Sequence, residues 1–188
     1  QVDGGLYNHL NITSIQPAPL SDKLELTGDD TSDLGDVVVA TKIRFVSEGP
    51  GRRGIGVRLA TKLPIASNES GLGLDTMDFY VSSLFGKTVS SVRIVGNFGL
   101  GILSDPVEGD RQNDVVTYGA ATIIRINHQF SIAGEVNGRV NTRPGGGPLG
   151  TESQGEARLG MQIRASGLRF DFAGIKGLTS QSPRSGLT

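Results

Sequence analysis

Residues 54–87 alternate apolar and polar side chains with a period of two, and most of the chain repeats that unit. Ile55, Val57, Leu59 and Leu63 share one face, while Gly56, Arg58, Ala60 and Lys62 share the other. Successive side chains of a strand point to opposite sides, so this pattern is a strand with one apolar and one polar face. A polar loop at 64–76 follows, rich in Ser, Asn, Gly and Asp. The return strand sets Met77, Phe79, Val81 and Phe85 against Asp78, Tyr80 and Ser82.

The same alternation marks strands at 37–48, 92–103, 114–126, 130–139, 155–165 and 168–175. Residues 1–12 fit one strand with a poor pattern, and 186–188 read as the start of another. No stretch carries helical periodicity. The fold class is therefore all-β, an antiparallel up-and-down meander of about ten strands in one domain, 1–188.

The connections decide what kind of meander this is. Those at 49–53, 86–88, 127–128 and 166–167 are short, and those at 13–36, 64–76, 104–113, 140–154 and 176–185 are long. Short turns at one end and long loops at the other are the asymmetry of an outer-membrane β-barrel. No run of about 18 apolar residues exists, but a barrel strand crosses a bilayer with only about 9–11 alternating residues. The alternative is a soluble ligand-binding barrel with its apolar face inside. Nine or ten such strands would enclose a large apolar cavity, whereas small soluble barrels use about eight. The lipid-facing arrangement is the better fit. Phe45, Phe85 and Phe130 near the short turns, with Phe79 and Tyr118 near the long loops, supply a thin aromatic girdle.

Several segments carry a further resemblance. Thr31-Ser32-Asp33-Leu34-Gly35-Asp36 runs into a strand at 37–45, Ser70-Gly71-Leu72-Gly73 precedes Asp78-Phe79, and Gly96-Asn97-Phe98-Gly99-Leu100-Gly101 follows. Together they resemble the glycine-punctuated pattern of the outer-membrane barrels grouped with the MetA-pathway-of-phenol-degradation proteins, over residues 20–188. That resemblance implies a transporter or porin-like protein of the bacterial outer membrane. It also implies a complete barrel of twelve strands, lacking here its first strands and most of its last. It identifies no substrate.

Charge placement points to the lumen as the functional surface. The chain carries 18 Lys and Arg against 19 Asp and Glu, so its net charge does not suggest a nucleic-acid partner. Ten of the basic residues nevertheless lie on the polar strand face: Lys42, Arg44, Arg58, Lys62, Arg93, Arg125, Arg139, Arg158, Arg164 and Arg169. Only four acids join them, Asp78, Glu135, Glu156 and Asp171. With Asn97, these fifteen are the expected pore lining. Rings of Arg and Lys favour anions, so small anionic solutes and outer-membrane lipid are the expected partners. The competing arrangement interlocks the charges, with Arg158 and Arg164 pairing with Glu156, Glu135 or Asp171, and yields a plugged barrel that docks a partner. An excess of cations is costly in a dry lumen, which favours water or anions inside.

Enzyme chemistry finds little support. The chain has no Cys and only two histidines, His9 and His128. Neither suggests a catalytic triad, Gly99-Leu100-Gly101 lacks the βαβ unit of a dinucleotide site, and no cofactor is expected. The acidic run offers Asp29, Asp30, Asp33 and Asp36 as weak calcium ligands, without the register or closing Glu of a known loop.

Overall fold

The structure is a computed structural model. It describes every residue except 5–6, 13–16, 18, 27, 110, 144–146, 183 and 188. Among the described residues there are twelve strands: β1 (Val2–Gly4), β2 (Asn8–Asn11), β3 (Asp30–Asp33), β4 (Val37–Val46), β5 (Gly54–Leu63), β6 (Asp78–Val89), β7 (Val92–Ser104), β8 (Gln112–Arg125), β9 (Phe130–Asn141), β10 (Gln154–Ala165), β11 (Leu168–Gly177) and β12 (Ser185–Leu187). Among the described residues the only helical element is a 3₁₀ turn at Ser21–Lys23.

Ten strands form one antiparallel sheet in the order β1-β4-β5-β6-β7-β8-β9-β10-β11-β12. From β4 to β12 each strand pairs with its sequence neighbour, which is the expected up-and-down meander. The edge strands β1 and β12 are not paired to each other, so the sheet is open among the described residues. β2 and β3 make a separate two-stranded sheet, Asn8 opposite Asp33 and Asn11 opposite Asp30.

Three local expectations change. Residues 1–12 hold two strands rather than one, because β1 joins β4 while β2 turns away to pair with β3. The acidic run at 29–36 is thus partly strand, not open loop. The β6–β7 turn lies at Ser90-Ser91, where Ser90 has φ 54°, and not at 86–88. Gly86 reads as a turn residue in sequence, yet its place is on the polar face opposite Gly54 and Val95. The β10–β11 turn is where alternation put it: Ser166 and Gly167 both have positive φ, as a tight two-residue hairpin with the right twist requires.

Strand register confirms the two faces. One lateral row runs Lys42, Arg58, Ser82, Gly99, Thr117, Arg139 and Gln154. The next runs Arg44, Gly56, Leu84, Asn97, Gly119, Asn137 and Glu156. The opposite face carries rows such as Leu59, Val81, Leu100 and Val116.

The apolar face is the uncovered one. Phe45, Ile55, Phe79, Phe85, Ile94, Phe98, Leu100, Ile132, Leu159 and Phe172 are all exposed, whereas the few buried apolar residues include Ala40, Ala60, Leu103 and Val115 of the polar face. Phe85 lies flat over Gly96 of the next strand, where any side chain would collide with its ring. The Tyr118 hydroxyl sits in the same way over Gly138 and Gly155. A water-soluble chain of this size does not ordinarily leave so continuous an apolar surface bare.

Candidate functional site

The polar face curls into a cleft of about 760 Å³ near the short turns. Residues of β4 and β9, five strands apart, line it together: Lys42 and Arg44 on one side, Glu135 on the other. Arg93 and Asn97 of β7 form its floor with small neighbours Gly56, Gly86, Gly119 and Ala121. Those small residues keep the concave face clear. All fifteen expected lining residues share this face by register, although they do not all meet in one cleft. Arg125, Arg164, Arg169 and Asp171 lie towards the short-turn ends of β8, β10 and β11.

Among the described residues ion pairs use four of the ten cations. Arg93 pairs with Glu48 at 3.0 Å, Arg158 with Glu156 at 2.9 Å, and Arg169 with Asp171 at 2.8 Å. Lys62 bridges Asp36 at 3.2 Å and Asp78 at 3.0 Å. Two expected pairings do not form. Glu135 stands opposite Arg158 in register but accepts a hydrogen bond from Asn137 instead. Arg164 makes no ion pair among the described residues, because Asp171 is taken by Arg169 on its own strand. Lys42, Arg44, Arg58 and Arg125 likewise have none. Glu48 was not foreseen as part of the site. It lies beyond β4, accepts hydrogen bonds from the Thr88 backbone N–H and Arg93, and is held below the usual carboxylate range chiefly by that N–H.

At the other end the long loops fold over the polar face. Arg139 is expected to line the lumen, but its guanidinium donates to the carbonyls of Gly150 at 2.7 Å and Glu152 at 3.0 Å. Asn113 donates to Asn141, and Asn141 to the Thr151 hydroxyl. The loop between β9 and β10 is thereby pinned against the inner wall. The loop between β5 and β6 meets it where Leu74 occupies the space beside Gly150, which has no side chain. Val115, Leu103 and Thr151 are consequently buried, whereas Lys42 and Arg44 at the opposite end remain open.

The four calcium candidates are not brought together. Among the described residues no group of three or more His, Asp or Glu side chains is placed to hold a metal ion. Asp36 accepts the backbone N–H groups of Ile65 and Ala66, and Asp30 lies 3.8 Å from His9. Asp33 accepts from the Ser67 N–H at 2.9 Å and the Ser70 hydroxyl at 2.8 Å. Among the described residues Asp29 gives its carbonyl to the Ile12 N–H. The carboxylates of Asp33 and Asp36 are the fasteners of the loop between β5 and β6.

That role has a pH signature. The Ser67 N–H, then the Ser70 hydroxyl, lower the Asp33 pKa below its ordinary 3.8. A depressed folded pKa means the fastening is fully present above the unfolded value and is lost as pH falls through the folded one. The Ser67 amide ¹⁵N shift should therefore titrate with a midpoint below 3.8, and Asp33→Asn should abolish that titration. A midpoint at or above 3.8 would show that Asp33 does not hold the loop.

No protein-family model matches the chain, and a search of curated proteins finds no match either.

Proposed function

We propose that the chain forms the wall of a bacterial outer-membrane β-barrel, of the kind grouped with the MetA-pathway-of-phenol-degradation proteins. In this reading it acts as a porin-like channel for small anionic solutes. The observation that carries the proposal is the pairing of a bare apolar face with a concave basic one on strands of 10–14 residues. Such strands are long enough to cross the hydrocarbon core, and lipid is the solvent in which that apolar face is stable. Closure joins the two open edges of the sheet, directly or through further strands, since an open edge does not survive at bilayer depth.

Solutes meet two regions in series. The long-loop mouth is narrowed by the loops between β5 and β6 and between β9 and β10. The short-turn vestibule carries cations that have no ion-pair partner among the described residues. A channel lined this way should pass anions in preference to cations.

A second reading rests on the covered mouth: a barrel sealed by its own loops, serving to dock a partner. Planar-bilayer recording of the complete protein under a salt gradient separates the two. Conductance steps with an anion-selective reversal potential are the expected result. Cation selectivity would overturn the basic-lumen assignment. Silence from verified, folded protein would favour the sealed barrel.

A further inference from the structure

Lys42 and Arg58 stand directly opposite each other on β4 and β5, and Arg44 is the next inward residue along β4. Like charges directly across a strand pair repel and destabilise the sheet. None of the three has an ion-pair partner among the described residues, so the repulsion is not relieved by the fold. The acids of the adjoining cleft are otherwise engaged. Glu48 is held by Arg93 and the Thr88 N–H, and Glu135 by Asn137. Beside Arg44 the inward positions are Gly56, Gly54 and Gly86, which add no side chain of their own, and the side chains that reach over Gly54 and Gly86 include Glu48 and Arg93, already paired with each other.

We infer that Lys42, Arg44 and Arg58 form a discrete binding station for a small multivalent oxyanion, of which inorganic phosphate is the simplest member. The inference rests on the reading of the polar face as a solvated lumen, and it names the solute chemistry of that lumen. Two guanidinium forks and an ammonium can surround such an ion with charge-assisted hydrogen bonds, Arg bidentately and Lys as a point charge. The bound anion replaces cation repulsion with attraction. The station is thus less stable empty than filled, and that asymmetry is its measurable signature.

The test uses the complete protein in a maltoside detergent, which carries no phosphate of its own. Phosphate is titrated at constant ionic strength by calorimetry, with thermal unfolding read in parallel. Saturable binding is expected, with a rise in Tm. Lys42→Gln and Arg58→Gln should each weaken it roughly tenfold to a hundredfold. Each should also raise the Tm of the phosphate-free protein, because one of the repelling charges is gone. Arg125→Gln should change neither. Equal weakening by Arg125→Gln would overturn the station in favour of a diffuse basic field, as would the absence of saturable binding. An anion-selective channel without saturable phosphate binding loses the station and keeps the channel. Saturable binding without conductance does the reverse.

Discussion

Leu100→Arg is expected to cost about 2–4 kcal/mol of stability in a lipid bilayer. Leu100 sits mid-strand in the row Leu59, Val81, Leu100, Val116, with half of its surface uncovered at 51%. No neighbouring side chain can shield a guanidinium there, and from the middle of the strand the charge has far to reach for the headgroups. Three residues away, Asn97 faces the cleft, where Asn97→Arg should shift stability by only about 0.5 kcal/mol. Denaturant unfolding of both variants in vesicles gives the comparison. In detergent-free water a half-exposed leucine replaced by arginine would cost little, so the contrast measures the solvent outside the sheet and not packing. Equal effects at 97 and 100 would mean that the apolar face does not meet lipid.

The faces were legible because alternation is a local property. Leu100 and Asn97 could be assigned to opposite sides from their own neighbours, and register then carried Lys42, Arg58 and Arg139 onto one wall. Depth along the strand and partners beyond it were not legible. Arg139 and Arg125 look alike in sequence, yet one is spent on the carbonyls of Gly150 and Glu152 while the other lies open near the short turns. The difference is made by loop residues 11 and 13 positions away folding inward, which no periodicity reports. The acidic run misled for the same reason. Clustered carboxylates suggest a cation or solvent, but Asp33 and Asp36 are acceptors for backbone N–H groups of the loop at 64–77, some thirty residues downstream. Position 86 shows the limit of composition: glycine marks turns on average, and here it lies within a strand on the polar face instead.

Lys62 joins three acceptors at the long-loop end of the sheet. Its ammonium lies between Asp78 and Asp36 and donates to the Thr76 hydroxyl, with side-chain exposures of 15% for Lys62 and 8% for Asp78. Removing one member of a nearly buried ion pair strands the others without a counter-charge, and Lys62→Met is expected to cost about 3 kcal/mol. The penalty sits at the low end for such sites because donors remain: the Ser104 N–H and Tyr80 hydroxyl for Asp78, and two loop N–H groups for Asp36. Asp78→Asn in the Lys62→Met background removes one stranded charge, so the two substitutions should couple by about 1–3 kcal/mol in a double-mutant cycle. The functional consequence follows from where Lys62 sits. It fastens both ends of the loop between β5 and β6, through Asp36 before β4 and Asp78 at the start of β6. Lys62→Met should therefore loosen that loop from the mouth and raise single-channel conductance while leaving anion preference to Lys42, Arg44 and Arg58. Coupling near zero would show Lys62 and Asp78 to be separately solvated, and unchanged conductance despite clear destabilisation would place the narrowest point of the path elsewhere, in the loop held by Arg139.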